Sequence, residues 1–159
     1  MTYGDGLYVA VGESGKLTTS TNGTTWTTRT SGFGTTIIRD VTYGDGLYVA
    51  VGNDGKLTTS PDGTTWTTRT SGFGSTTIRG VTYGDGLYVA VGYDGILTTS
   101  PDGTTWTTRT SGFGTTRIWG VTYGDGLYVA VGDSGKLTTS TDGTGYLSLE
   151  LKTPVTTLS

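Results

Sequence analysis

The chain has 159 residues, a hydrophobic content of 32% and a formal net charge of −3, which suffices for one compact domain with a modest core. Thr contributes 39 residues and Gly 29, a composition that disfavours helices and favours short strands joined by tight turns. The sequence has no basic run and no long apolar stretch, so it predicts neither nucleic-acid binding nor membrane association. The N-terminus lacks the basic and apolar regions of a signal peptide, and we expect a soluble protein of undetermined compartment.

A repeat of 40 residues runs through the whole chain, and identity between its copies is very high. The copies begin at Met1, Val41, Val81 and Val121. Repetition with such a fixed period is typical of propellers, solenoids and related arrays. We therefore predict one domain over residues 1–159, divided into units at 1–40, 41–80, 81–120 and 121–159.

Turn signals divide each copy into four short strands, taken here in chain order from the second copy. The segment VTY is followed by Gly-Asp-Gly, LYVAV by a Gly-containing turn, KLTTS by Pro-Asp-Gly, and TTWTTRT by the longer loop SGFG. Alternation places Leu47, Val49 and Val51 on one side of the second strand. Tyr48 and Ala50 lie on the other side, so both faces of this strand are apolar and we expect both to be buried.

A sheet that is covered on both faces by sheets like itself forms a stack. Four-stranded antiparallel sheets that recur about every 40 residues are the sequence signature of a β-propeller. A β-trefoil also uses four-stranded units of this length but requires three of them, and the coils of a solenoid are usually shorter. The predicted fold class is therefore all-β, a propeller with four four-stranded antiparallel blades per chain.

The peptide SPDGTTW at 60–66 returns unchanged at 100–106 and in altered form as STNGTTW and STDGTGY. Asp62 can accept backbone N–H groups in an Asx-turn, and Gly63 can adopt a positive φ. The peptide resembles the Asp-box of BNR-type propellers, found in sialidases and in photosystem II assembly-factor-like proteins, although one residue between Asp and Gly is missing here. The resemblance implies structural roles for Asn22, Asp62, Asp102, Asp142, Trp26, Trp66, Trp106 and Tyr146.

The resemblance to sialidases raises an enzymatic function, but the residues argue against it. A sialidase-like site needs an arginine cluster, a Tyr with a Glu partner and an acidic general acid, whereas the only glutamates here are Glu13 and Glu150. Histidine is absent, which excludes catalytic triads and the commonest zinc sites. The loop rich in aspartates that binds calcium is also missing. We therefore expect no catalytic residue, no metal site and no cofactor.

Two kinds of function fit the remaining features. The copies differ mainly at the second turn and around residues 37–40 and their equivalents, so the candidate ligand-binding residues are Glu13, Asn53, Tyr93, Asp133, Arg79, Arg117 and Trp119. Free drift of exposed turn positions is the simpler explanation of these differences. Because Asp-box propellers often bind sugars or proteins, the resemblance implies a lectin-like or protein-binding module. The near-identity of the copies favours instead a structural scaffold that arose by recent repeat amplification or by engineering.

The ends of the array predict self-assembly. An open arc of four blades leaves two apolar sheet faces in water. Closure by one chain requires a strained rotation of about 90° per blade, whereas two chains need only about 45°. We therefore predict a head-to-tail homodimer, an eight-bladed ring with two-fold symmetry, over a four-bladed monomer. In this ring Leu158, at the repeat position of Ile118, leads into the first strand of the other chain.

Overall fold

The structure, a computed structural model, describes residues 1–149, so the predictions for Glu150 and Leu158 lie outside the described residues. The first blade contains β1 (Thr2–Gly4), β2 (Leu7–Val11), β3 (Leu17–Ser20) and β4 (Thr27–Arg29). The second contains β5 (Ile38–Gly44), β6 (Leu47–Gly52), β7 (Lys56–Ser60) and β8 (Thr67–Thr70). The third contains β9 (Ile78–Gly84), β10 (Leu87–Gly92), β11 (Leu97–Ser100) and β12 (Thr107–Arg109). The fourth contains β13 (Ile118–Gly124), β14 (Leu127–Gly132), β15 (Leu137–Ser140) and β16 (Leu147–Leu149).

Each blade is an antiparallel sheet whose four strands lie in chain order. In the second blade Val41 lies opposite Ala50 and Tyr43 opposite Tyr48. Short 3₁₀ turns join the second and third strands of the last three blades, at Asn53–Gly55, Tyr93–Gly95 and Asp133–Gly135. The prediction of an all-β chain with four four-stranded antiparallel blades is thus confirmed. The described residues, 1–149, contain no helical segment that could span a lipid bilayer.

The first strand of a blade is longer than the segment VTY that the turn signals outline. Strand β5 begins at Ile38, which pairs with Gly52 beyond an irregularity in the register between Ile38 and Asp40. The first strand of each later blade therefore begins three residues before the first residue of the corresponding sequence repeat. The sequence did not predict this extension, because the bulge interrupts the two-residue alternation of side chains by which a strand is recognised.

The core lies between blades, as expected for strands that are apolar on both faces. The cluster between the second and third blades consists of Val49, Val51, Leu57, Phe73, Ile78, Val81, Tyr88 and Ala90. Equivalent clusters join the first blade to the second and the third to the fourth. Leu47, Val49 and Val51 face the following blade, and Tyr48 and Ala50 face the preceding one. The predicted alternation in the second strand is therefore confirmed.

The loop SGFG anchors each blade to the next one. Ser71 Oγ donates a hydrogen bond to Gly55 O at 2.7 Å and accepts one from Phe73 N at 3.2 Å. This arrangement inserts the Phe73 ring into the core between the second and third blades. The same bonds recur at Ser31 and Ser111.

The two ends of the array are open in the described residues. Val131 in the fourth blade is 44% exposed, whereas Val51 and Val91 at the same repeat position are fully buried. At the other end Tyr3 is 58% exposed. An apolar groove of about 290 Å³ runs along the outer face of the fourth blade, and Val121, Val129 and Val131 line much of it. Within residues 1–149 the four blades therefore form an arc whose two end faces are open.

Candidate functional site

The SPDG turns are held by their own carboxylates. Asp62 Oδ1 accepts hydrogen bonds from the backbone N–H of Thr64 at 2.8 Å and of Thr65 at 2.9 Å. Ser60 Oγ donates to the same oxygen at 3.0 Å. Gly63 has a φ of +70°, a conformation that a residue without a Cβ adopts at low cost. The turn is thus satisfied internally, and its carboxylate is occupied by the turn itself.

The same network is present in the other three copies. In the first copy Asn22 Oδ1 accepts from Thr24 N and Thr25 N, each at 2.9 Å. Hydrogen bonds from the Thr64 hydroxyl and from the N–H groups of Thr65 and Thr64 lower the pKa of Asp62 below its ordinary value. Asp102 and Asp142 have lowered pKa values through equivalent bonds, led by a backbone N–H in each case.

The aromatic residues that follow these turns pack to different extents. Trp66 Nε1 donates to Gly63 O at 3.0 Å, and its ring lies 6.3 Å from that of Tyr48 in the blade core. Trp66 and Trp106 are half-buried, whereas Trp26, at the open end of the arc, is 38% exposed. Tyr146 takes the same place in the fourth blade, and its buried hydroxyl has no partner among the described residues.

A tyrosine joins each blade to the preceding one. The hydroxyls of Tyr48, Tyr88 and Tyr128 donate hydrogen bonds to the carbonyls of Gly4, Gly44 and Gly84, respectively. A second tyrosine ring packs against the same glycine, so that a Cβ atom at Gly84 would overlap the Tyr123 ring. Sequence analysis missed this contact, although the recurrence of Tyr and Gly in VTYGDGLYVA was the available signal.

Burial perturbs the acidity of these phenols. Removal from water raises the pKa of Tyr48 to about 12 and that of Tyr128 to about 12. The pKa of Tyr88 is raised for the same reason. Negative charge on neighbouring tyrosines and aspartates adds to the effect in all three cases, because it disfavours a further anion nearby.

At the open ends of the arc the two halves of this contact remain separate. Tyr8, the first-blade equivalent of Tyr48, is half-buried and its hydroxyl has no partner in residues 1–149. Gly124, the fourth-blade equivalent of Gly84, is exposed, and a Cβ atom placed on it would meet nothing within 4 Å. The Tyr8 hydroxyl in the first blade and the Gly124 carbonyl in the fourth blade thus correspond to the donor and the acceptor of this contact.

Five of the seven candidate ligand-binding residues meet above the boundary between the third and fourth blades. The Arg79 guanidinium lies 4.7 Å from the centre of the Trp119 ring, and the Arg117 guanidinium 4.7 Å from that of Tyr93. The two rings are 5.9 Å apart and nearly perpendicular. Trp119 Nε1 donates a hydrogen bond to Asp133 Oδ1. We name Arg79, Tyr93, Arg117, Trp119 and Asp133 the guanidinium–aromatic cluster.

The other two candidates lie outside this cluster. Asn53 Oδ1 accepts a hydrogen bond from Arg39 Nε at 2.8 Å, a pairing that sequence analysis did not identify. Glu13 is exposed at the second turn of the first blade, where its carbonyl accepts from Lys16 N at 3.1 Å.

One carboxylate lies on the inner strands. Asp40 accepts from Val41 N at 2.8 Å through Oδ1 and from Val81 N at 3.0 Å through Oδ2, which links the second blade to the third. Burial raises the pKa of Asp40, and the two hydrogen bonds oppose this shift. Gly80 and Gly120 stand at the same repeat position, so the link occurs once in the described residues.

Four-stranded antiparallel blades that stack face to face define a β-propeller. The sequence profile of the DUF6242 beta propeller domain matches residues 1–118, and the chain belongs to this family. No curated protein matches the sequence significantly. The family and the blade pattern together establish a propeller built from tandem repeats.

Solved structures show the same fold at low sequence identity. The computationally designed Ika4 protein superposes with a TM-score of 0.71 at 12% identity, covering 87% of each chain. YCF48 from Cyanidioschyzon merolae gives a TM-score of 0.66 at 17% identity, covering 94% of this chain and 57% of that one. The WD40 beta propeller domain of Doa1 gives 0.58 at 17%, covering 90% and 45%. The chain therefore spans about half the length of the last two structures.

Proposed function

We propose that the chain is a non-enzymatic repeat propeller, a self-assembling scaffold in which two copies close head to tail into an eight-bladed ring. The observation that carries this proposal is that its two exposed end faces are the two halves of a boundary that already occurs three times within the chain. The similarity in fold to the computationally designed Ika4 protein is consistent with a scaffold role for this chain. The hydrogen-bonded SPDG turns support the finer assignment to Asp-box repeats.

The outer face of the fourth blade is the half that normally receives a following blade. Val129 and Val131 occupy the repeat positions of Val49 and Val51, which the third blade covers completely. Exposing such apolar surface is unfavourable in proportion to its area. A second copy that places its first blade on this face removes the groove from water.

The outer face of the first blade has the complementary residues. Tyr3 and Tyr8 stand at the repeat positions of Tyr43 and Tyr48, which pack on Gly4 of the preceding blade. By the same geometry Tyr8 of a second copy donates to Gly124 O, and its Tyr3 ring covers Gly124. Both copies make these contacts, so the ring closes with two equal interfaces.

The open end faces of the described blades favour two chains rather than one. A closed ring of four blades requires about 90° of rotation per blade, and the four described blades fall short of closure. Eight blades need about 45°, which is within the usual range of propellers.

Light scattering on the purified chain tests this proposal. We expect a mass of about 33 kDa at micromolar concentration, twice the chain mass of 16.5 kDa. Gly124→Leu should yield a folded monomer, because a Cβ atom at Gly124 meets nothing in its own chain and the added side chain occupies the place of the incoming Tyr3. Gly145→Leu is the matched control, since Gly145 is also exposed and open but lies on the last turn. A monomeric parent chain, or a dimer that survives Gly124→Leu, contradicts the proposed ring.

A second candidate function is ligand binding through the loop face, in the manner of a lectin or protein-binding module. The guanidinium–aromatic cluster favours it, because variable positions from two blades converge there and the Arg117 side chain is exposed. A glycan array and a protein pull-down, each with the folded chain, test for such binding. Specific capture supports the second function, and its absence with a well-folded ring leaves only the scaffold.

A further inference from the structure

Building on the second candidate function, we propose that the guanidinium–aromatic cluster binds an acidic glycan, a sugar chain that carries carboxylates. The site is formed at the boundary of the third and fourth blades. Its residues supply cations, aromatic rings and a hydrogen-bond acceptor within one patch.

The two arginines of the cluster differ from all the others in the chain. The remaining four each donate an Nε hydrogen bond to a neighbouring side chain: Arg29, Arg39, Arg69 and Arg109. Within residues 1–149 the side chains of Arg79 and Arg117 form no hydrogen bond or ion pair, and Arg79 Nε is buried without a partner. The terminal N–H groups of both arginines are neither buried nor bonded in these residues, and they are therefore available to a ligand.

Stacking on the rings prepares these guanidinium groups for an anion. Each lies over an aromatic ring at 4.7 Å, which restrains the plane of the group. The N–H donors lie in that plane and match the two oxygens of a carboxylate. Orientation before binding lowers the entropy that binding would otherwise cost.

The other members of the cluster select a sugar among anions. Trp119 is 38% exposed, so part of its surface can pack against the apolar C–H face of a sugar ring. Asp133 uses Oδ1 for Trp119, and Oδ2 remains an acceptor for a sugar hydroxyl. A neutral glycan would leave both guanidinium groups unpaired.

The cluster occurs once among the described blades. At the preceding boundary Asn53 and Thr77 replace Tyr93 and Arg117, and Arg39 is already bonded to Asn53. One site per chain follows. The residues at the preceding boundary, Thr77 and Arg79, can therefore be copied to positions 117 and 119 as substitutions that the same fold already contains.

Isothermal titration with a uronic acid hexasaccharide tests the proposal, and the carboxyl-reduced hexasaccharide is the matched ligand control. We expect binding of the acidic form, weakened by salt, and at least tenfold weaker binding of the reduced form. Arg117→Thr and Trp119→Arg each copy the preceding repeat and should reduce affinity at least tenfold. Arg39→Gln, which alters an arginine that is already bonded, should leave affinity unchanged.

Other probes identify the results that would overturn the inference. Equal binding of the reduced hexasaccharide, of a sulfated oligosaccharide or of single-stranded DNA would show that carboxylated sugar is not recognised. Retention of affinity in Arg117→Thr would place the site elsewhere. Binding of neutral glycans alone would overturn this inference while leaving the second candidate function intact, and no binding to any glycan or protein would overturn both. The mass of the same samples, measured by light scattering, tests the proposed dimeric ring independently of glycan binding.

Discussion

At the scale of single residues, the contact between a tyrosine hydroxyl and a glycine carbonyl joins the blades. Tyr88 reaches Gly44 across 44 positions of sequence, and the phenol is almost completely buried. A hydrogen bond between buried groups contributes modestly when formed, but an acceptor left without a donor in the core costs considerably more. The glycine is required because a Cβ atom there would overlap the neighbouring Tyr83 ring.

Tyr88→Phe should lower the free energy of unfolding by about 1 kcal/mol, because it removes a buried hydrogen bond between two blades. Tyr8→Phe is the control, since Tyr8 has no acceptor within its own described chain. In a monomeric Gly124→Leu background, Tyr8→Phe should therefore leave the denaturant midpoint unchanged. Equal effects of the two substitutions in that background would show that the hydroxyl bond does not stabilise the boundary.

Alkaline pH should destabilise the protein through the same tyrosines. Burial raises the pKa of Tyr48 and Tyr128 to about 12, above the value near 10 of an unfolded chain. The folded state then holds protons that the unfolded state releases, so stability is complete below pH ~10 and falls between pH ~10 and ~12. Denaturant titrations at stepped pH should show this decline, with a shallower slope in Tyr48→Phe. A pH-independent midpoint across this range would contradict the linkage.

At the scale of elements, the SPDG turn joins local geometry to packing between blades. Its hydrogen bonds are all short in sequence, which is why the Asx-turn and the positive φ at Gly63 could be predicted from residue types. Its packing could not be predicted, because Gly63 lies against Leu7 of the preceding blade. The beginning of β5 at Ile38 was missed for a related reason, since it pairs across a bulge with Gly52.

Gly63→Val should lower the free energy of unfolding by about 2 kcal/mol or more, from backbone strain at a φ of +70° and from overlap with Leu7. Gly23→Val has a similar φ of +74°, but its nearest neighbour is the Tyr8 ring at 4.0 Å. In the monomeric Gly124→Leu background it should therefore cost only the backbone strain, about 1 kcal/mol. Equal losses in chemical denaturation would mean that the Leu7 contact adds nothing.

At the scale of the whole molecule, an equivalent blade boundary recurs three times within residues 1–149. All three are buried, and faces equivalent to the two halves of such a boundary are exposed on the first and fourth described blades. Apolar faces of this kind are stable when a further blade covers them. The proposed ring follows from repetition, since the second copy reuses an interface that the chain already contains.

Thermal stability should depend on protein concentration if two copies close the ring. Association stabilises the folded state by mass action, so a hundredfold rise in concentration should raise Tm by about 4 °C. Differential scanning calorimetry over this range measures the shift. Gly124→Leu should show a Tm that does not vary with concentration, and the same constancy in the parent chain would argue against dimerisation.

The sequence by itself determined the period of the blades, the alternation that buries LYVAV on both faces and the turns that separate the strands. These properties depend on residues that are close in sequence, and the same local patterns recur in each copy of the 40-residue repeat. Tertiary structure alone decided which distant residues meet. Stacking brings Tyr88 to Gly44, places Arg79 over Trp119 of the next blade and leaves Gly124 exposed, because blade rotation rather than chain order sets those neighbours.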